Sequence, residues 1–487
     1  MIVRAESKKM KIALINPPTS FDRLYGEWDL SPLDTYTPPL GVLSLAGYLR
    51  AEGHEPFLLD LMALPLDLDR GVRHILARRP DVVGLSAMTI NCLDAGALAR
   101  ALKERGLLAP IVLGGAHVSA VPRETLEAFP DIDYGVVGEG EATLAELLDR
   151  LGNRESLQQV DGLAWRDPEG RVVINRPRRP LENLDELPLP AWDLLEGFPS
   201  RYPSSLLESR RLPAAGIMTS RGCPFHCTFC DNRVFGSRVR HFSAEYTLRM
   251  IRHLVDRFGI RDLMILDDNF LLDRRKLFDI CDGIRSQNLD LTWYCITHAK
   301  SMTPDRLAKI RRAGCWFVEM GIESGNDAIL GQIKKNTDKA EIRASVRAAK
   351  RTGLKVKGNF IFGFPGDTPE TIEETIRFAL DLDIDFFQQS YLTVWPGCEI
   401  SRTAPKTDAP PAEVWGRLAH QRITFVPPAM TRDQLVSASK ESFRRFYLRP
   451  RTIIRLLPRL ASLRGIRFSL TALAVFLRTI LRKPAAR

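Results

Sequence analysis

The chain has no apolar run approaching the roughly 18 residues needed to span a bilayer. Its longest candidate, Phe468–Leu477, is about half that length. The N-terminus, MIVRAESKKMKIALIN, has no long apolar core followed by a cleavage site, so no export signal is read and a cytoplasmic address is expected. Acidic residues are absent from Phe443 to Arg487, a stretch that carries twelve Lys and Arg. The 487 residues together carry +10, so the first 442 carry −2. That imbalance argues against a protein that coats nucleic acid over a broad working face. Also missing is a G-x-G-x-x-G after the first predicted strand, where INPPTS stands instead, and a dinucleotide site is thereby disfavoured.

What is present suits a large globular chain. A composition 45% hydrophobic and 26% charged argues against global disorder, and the length allows two to four domains. Residues 10–150 alternate short apolar runs with amphipathic segments. Strands are predicted at 11–16, 56–61, 81–86, 110–115 and 134–141, and a helix over 40–52. Nearly continuous apolar strands separated by helices predict a parallel sheet, whose ligands sit at the carboxyl ends of its strands. Residues 151–210 are broken by prolines and read as an ordered connector, with a hairpin at WRDPEGRVVIN. In 211–404 the alternation resumes, with strands at 215–220, 262–268, 291–297, 316–322, 356–364 and 386–394. Six strand–helix repeats predict a partial (β/α)6 barrel of TIM type. Residues 405–487 read as a helical region ending in the basic tail.

Of eight cysteines, Cys223, Cys227 and Cys230 cluster in a C-x3-C-x2-C spacing directly after the first barrel strand. In a large chain without an export signal this suggests metal rather than disulfide. Three thiolates on one loop can hold three irons of a cubane cluster and leave the fourth open. Zinc is the competing reading; it would want a fourth ligand, for which His226 and His241 are near in sequence. Cys295 and Cys315 read as small buried hydrophobes. Cys398 lies at the sixth strand end, and no nucleophilic role is expected for it.

The cysteine motif, followed in order by LDDNF (266–270), GIESG (321–325), GNFIFGFPGDTPE (358–370) and VWPGCEI (394–400), resembles the radical S-adenosylmethionine (radical SAM) superfamily over roughly residues 210–400. The resemblance implies that Cys223, Cys227 and Cys230 bind a 4Fe–4S cluster whose open iron takes S-adenosylmethionine, and that cleavage gives a 5′-deoxyadenosyl radical. It implies that Phe229 touches adenine, that Glu323 and Ser324 contact the ribose or methionine end, and that Gly363 lets backbone approach the adenine. Asp267 and Asp268 serve equally well as scaffold.

The first 150 residues, through PDVVGLSAMTINCLDAG, PIVLGGAHVS and VVGEGE, resemble a cobalamin-binding domain of the kind found in cobalamin-dependent radical SAM enzymes. The fold expected is therefore α/β: a Rossmann-like cobalamin-binding domain, then the partial barrel, then the helical C-terminal region. The resemblance implies that Ser86, Gly114, Gly115, Gly138 and Gly140 leave room for the cofactor tail, that Ser86, Thr89 and Ser119 hydrogen-bond it, and that His117 and Glu139 are cofactor contacts. The D-x-H-x-x-G that ligates cobalt elsewhere is matched here by Tyr36–Gly41 with Pro38 at the histidine position, so cobalamin without a protein His ligand is expected.

The function implied is methylation of an unactivated carbon, with a small-molecule or lipid substrate, an external electron donor and no nucleic acid. The alternatives are an anaerobic cyclase, oxidase or ring-rearranging enzyme with the same cofactors, or a cobalamin- or redox-responsive binding protein. The tail interleaves Arg with Leu, Ile and Phe. It reads equally as a peripheral membrane contact, which would favour a lipid or isoprenoid substrate, and as a cap on the barrel.

Overall fold

The computed structural model describes residues 8–19, 37–64, 67–204, 208–403 and 409–456, together with 466, 469–471 and 474. Much of the run Phe468–Leu477, most of the basic tail and Tyr36 of the Tyr36–Gly41 stretch lie outside the described residues. Among the described residues no helix is long and apolar enough to cross a membrane.

The first sheet contains β1 (Lys11–Asn16), β2 (Glu55–Asp60), β3 (Val82–Ser86), β4 (Ile111–Gly114), β5 (Tyr134–Val136), β6 (Leu163–Arg166) and β7 (Val172–Ile174). Their order is β2-β1-β3-β4-β5-β6-β7. The first five strands are parallel, and β6 and β7 join antiparallel. The hairpin predicted around residues 165–175 thus extends this sheet, and the sheet runs past residue 150 to Ile174. Strand 134–141 is shorter than predicted: it ends at Val136, and Glu141 already opens a helix to Asn153. The reversal of strand order between β1 and β3 is where an open α/β sheet offers a crevice.

The second sheet holds β8 (Ala214–Ile217), β11 (Asp262–Ile265), β12 (Thr292–Thr297), β13 (Cys315–Glu323), β14 (Lys355–Phe362) and β15 (Phe386–Tyr391), all parallel and in chain order. Between β8 and β11 lie two short strands, β9 (Ser220–Arg221) and β10 (Arg240–His241), paired as an antiparallel ribbon. The helices between barrel strands start where their sequence allows. Ser243, Asp273, Asp338 and Thr368 each accept a backbone N–H of the first turn, satisfying donors that the helix cannot.

Alternation along the strands separates an outer face, packed on helices, from an inner one. Phe360 and Phe387 face outward, and Phe387 stacks on Phe446 of the C-terminal helix Arg432–Tyr447 at 5.3 Å. Burying each such ring contributes roughly 2–3 kcal/mol. Gln389 also faces that helix, where its side-chain oxygen accepts from Ser439 at 2.6 Å.

The start of the basic tail is a cap. Arg445 pairs with Glu373 at 2.7 Å, Arg449 donates to the Leu380 carbonyl at 2.7 Å, and Arg451 and Arg455 both bind Asp383. Their charge is answered within the protein, as the cap alternative for this part of the tail expects. Leu448, Ile453 and Ile454 remain exposed beside them.

Candidate active site at two strand-end mouths

The cysteine loop is rooted by Asp267, the first acid of LDDNF. Its carboxylate accepts from the Thr219 backbone N–H (2.5 Å) and from the hydroxyls of Thr219 (2.7 Å) and Ser220 (2.6 Å). It is therefore scaffold. Asp268 lies at the barrel mouth with no hydrogen-bond partner among the described residues, and desolvation, then the Asp267 charge, raises its carboxyl above the usual range. Gly222 follows β9 with φ +94, and a Cβ there would stand 2.5 Å from the Arg238 carbonyl oxygen. Only glycine makes this turn into the loop. The loop is then knit down: Thr228 N–H donates to the Ile333 carbonyl, Ile400 N–H donates to the Thr228 carbonyl, and Phe225 stacks on His298 at 4.1 Å.

Burial holds the Cys223 and Cys227 thiols above their ordinary value. Cys230 is the exposed residue of the three, yet desolvation of its sulfur and then the Cys227 sulfur push its thiol up to about 12. The thiols thus stay protonated until a cation displaces the proton, as thiolate ligands of iron require. His241 is turned to Lys276, its Nδ1 3.4 Å from the Nζ, and His226 is exposed. Neither supports a fourth zinc ligand. Three thiols on one recessed loop fit a cubane cluster with one open iron.

Phe229 lies 5.5 Å from Phe364, so an aromatic corner forms beside the third cysteine as a flat heterocycle requires. Gly363 has φ +100, donates its N–H to Asp367 at 2.9 Å, and has Leu435 nearest to where a Cβ would be. It serves the turn that presents Phe364, which is a different role from the open approach expected of it. Glu323 ends β13 at φ +67, where the pairing with β14 slips by one residue. A non-glycine residue there stores strain, which often marks a functional position. Its carboxylate accepts from the buried Lys335 Nζ at 2.8 Å. Burial would pull that ammonium down, but Glu323, Cys227 and Cys230 hold it above its ordinary value. Ser324 corrects the expectation: its hydroxyl lies 3.2 Å from Thr375 and accepts from the Asn326 N–H, and the residue is buried. It is committed to the fold.

At the first sheet, the ends of β3, β4 and β5 are stitched together. Ala87 N–H donates to the Gly114 carbonyl, His117 N–H to the Ala87 carbonyl, and Gly138 N–H to the Ser119 hydroxyl. Gly115 takes φ +102, and a Cβ would lie 2.5 Å from the Ala87 carbonyl oxygen. Ser86 and Gly114 are register partners on adjacent strands and, with Gly138, keep the mouth shallow in side chain. The trough fits a cofactor edge. His117 is fully buried behind these loops, with Nδ1 3.1 Å from the Thr89 hydroxyl and Trp415 packed edge-on at 4.3 Å. Burial lowers its pKa to about 4, so the ring is neutral, and its Nε2 is buried without a partner among the described residues.

Three expected contacts at this mouth are otherwise engaged. The Ser119 hydroxyl bridges the Gly115 carbonyl and the Gly138 N–H. A side chain at Gly140 would meet Leu45 rather than open space. Glu139 is the clearest correction: its carboxylate is taken by Arg221 at 3.1 Å and by Arg240, because a buried carboxylate needs counter-charge. Glu141 accepts from Arg221 at 2.5 Å and from Ser44 at 2.7 Å. Burial would raise its pKa, but Arg221 holds it below the usual carboxylate range.

These arginines flank the cysteine loop, so the acidic strand-end loop of the first sheet is clamped to the root of that loop. Arg233, further along, donates to the Ala120 and Gly397 carbonyls. Arg221, Arg240 and Lys335 were not picked out from the sequence. The available signal was GEGE itself, a pair of acids in an otherwise apolar strand end that must find cations.

The B12-binding domain family matches residues 30–148 and the radical SAM superfamily matches residues 217–379. The chain is 34% identical to the uncharacterized methyltransferase PH0819 of Pyrococcus horikoshii over 92% of its own length and 95% of that protein's. It is 27% identical to an anaerobic magnesium-protoporphyrin IX monomethyl ester cyclase of Rubrivivax gelatinosus, covering 84% of this chain and 74% of the cyclase. With the hopanoid C-2 methylase of Rhodopseudomonas palustris it shares 28% identity over 85% of this chain and 71% of the methylase. The solved structure of the cobalamin-dependent S-adenosylmethionine radical enzyme OxsB has the same fold, with a TM-score of 0.72 at 18% identity over 98% of this chain and 74% of OxsB. The two clamped mouths are those of an enzyme that belongs to the radical SAM superfamily, in the group whose barrel follows a B12-binding domain.

Proposed function

We propose that the protein methylates an unactivated carbon, using a 4Fe–4S cluster, S-adenosylmethionine and cobalamin. The observation that carries this reading is the buried clamp of Arg221 and Arg240 on Glu139 and Glu141, which holds the first-sheet mouth against the cysteine loop. Two cofactors on separate domains can act on one substrate carbon only if their mouths are held at a fixed approach. When bound, the cluster with S-adenosylmethionine supplies a 5′-deoxyadenosyl radical, and cobalamin supplies a methyl group. The chain's own part is to orient. Cys223, Cys227 and Cys230 hold the iron, and Phe229, backed by the buried Phe364, offers a face to adenine. Glu323, fixed by Lys335, presents a carboxylate to hydroxyl donors. Ser86, Gly114 and Gly115 leave the trough for cobalamin, with His117 and Thr89 beside it.

Anaerobic reconstitution with cluster and cobalamin, followed by incubation with methyl-labelled S-adenosylmethionine and a small-molecule extract, tests the reading. Formation of 5′-deoxyadenosine and a labelled product one carbon heavier is expected. Its absence alongside cleavage would favour the cyclisation chemistry named in the Rubrivivax relative, whose product gains no carbon. A lipid or isoprenoid substrate draws support from the hopanoid C-2 methylase and from exposed Leu448, Ile453 and Ile454, which offer an apolar edge to a bilayer. Cosedimentation of the full chain with anionic vesicles, lost on deletion of residues 443–487, is the expected companion result.

A further inference from the structure

Parallel barrels usually fill their interior with layered side chains. Here the lowest layer is filled in that way: Met264, Tyr294, Phe317 and Phe386 pack together as a plug. Above it the filling stops. Gln389 faces the outer helix, so its neighbour Gln388 faces the lumen, and Gln388 is exposed. Ser390, one pleat higher on β15, is partly open, as are Ile361 on β14, Ile296 on β12 and Leu266 after β11. β15 is the edge strand of the open barrel, but Ile361, Ile296 and Leu266 lie on or beside strands paired on both sides, so their partial exposure opens inward, onto a hollow lumen.

The hollow has two unlike walls. On the β13–β15 side stand Glu319, Gln388 and Ser390. Neither the Gln388 amide nor the Ser390 hydroxyl has a side-chain partner among the described residues. One Glu319 oxygen takes Asn359 Nδ2 at 2.7 Å and Lys357 Nζ at 3.3 Å, and the other oxygen is unengaged among the described residues. On the β8–β12 side stand Leu266 and Ile296; Leu266 lies against Gly216, whose other neighbour is the Thr37 side chain. The charge is one-sided. Lys357, the cation of this layer, is already answered by Glu208 at 2.6 Å, so Glu319 and, at the mouth, Asp268 leave an excess of carboxylate.

We infer that the lumen selects an amphiphilic substrate: an apolar flank against Leu266 and Ile296, and a neutral or cationic hydrogen-bond donor, a hydroxyl or amine, against Glu319, Gln388 and Ser390. A phosphate or carboxylate would face uncompensated acid, and a bare hydrocarbon would strand the polar wall. This rests on the proposed reaction only for what is done to the substrate; the selection is a property of the barrel.

The test uses the full reconstituted chain and three probes of equal length, n-hexylamine, n-hexanol and n-hexanoate, followed by saturation-transfer NMR titration. The amine and the alcohol are expected to bind about tenfold tighter than the carboxylate, a difference typical of a single charge-assisted hydrogen bond. Gln388→Leu and Ser390→Ala, both on open positions, should bring the donor probes to within about twofold of hexanoate. Glu319→Gln should relax the rejection of hexanoate. Equal or tighter binding of hexanoate, retention of the preference in both β15 variants, or no binding by any probe would each overturn the inference. These outcomes are independent of 5′-deoxyadenosine formation and of methyl transfer, which decide the proposed reaction.

Discussion

The two mouths are both built at the carboxyl ends of parallel strands, yet they use opposite materials. The first-sheet mouth is made of backbone, glycine, serine and a histidine kept neutral by burial. The barrel mouth is made of ionisable groups: three thiols, Asp268, and the Glu323–Lys335 pair. A large neutral cofactor edge needs room and few charges, whereas iron and a sulfonium-bearing cofactor need anionic ligands and fixed carboxylates. The contrast shows why the charges of GEGE do not face the first mouth. They are exported across the domain boundary to Arg221 and Arg240.

Four experiments break or sharpen that contrast. The largest effect is expected from Cys227→Ala: iron absorbance and 5′-deoxyadenosine formation should fall to background, while cobalamin loading, read from its visible spectrum, stays. Loss of both cofactors would mean the mouths are not separable. Arg221→Met acts on the boundary. It leaves two buried carboxylates short of counter-charge and should cost roughly 3–5 kcal/mol in denaturant unfolding.

His117→Gln probes the neutral mouth by pH. A histidine at about 4 in the folded chain and 6.5 unfolded binds fewer protons when folded, so its contribution is full above 6.5 and lost as pH falls toward 4. Wild type should lose about 3 kcal/mol more than the variant between pH 7 and pH 4. An equal slope in both would show that the ring is not held neutral. The smallest effect is Gly115→Ala, which forces a side chain into positive φ at a cost of about 1–3 kcal/mol and should weaken cobalamin retention without changing iron content.

Much of this was legible in the sequence, for reasons that differ by element. The barrel strands read clearly because strand and helix periods alternate, and the cysteine spacing is local. Phe229 came from the same short motif, but Phe364, 135 residues further on, did not. What was not legible lies at long sequence separation. Arg221 and Glu141 are 80 residues apart, and no periodicity reports which cation a buried acid will find. Ser119 and Ser324 misled for a related reason: a hydroxyl at a strand end serves equally to bind a ligand or to tie two loops, and only the neighbours decide. The tail is the mixed case. Its first arginines met Glu373 and Asp383 on the barrel's outer helix and the turn after it, acids that sequence distance had concealed.

The ribbon of β9 and β10 carries a consequence for anyone who would divide this chain. Arg221 and Arg240 are 82 and 101 residues from Glu139, and both are nearly solvent-free. A barrel expressed without the first domain would lose both carboxylates and open these two guanidinium groups to water, on the strands that frame the cysteine loop. Such a fragment would be a poor recipient for cluster assembly, however intact its outer helices. Swapping first domains between relatives would succeed only if the acidic pair travelled with them.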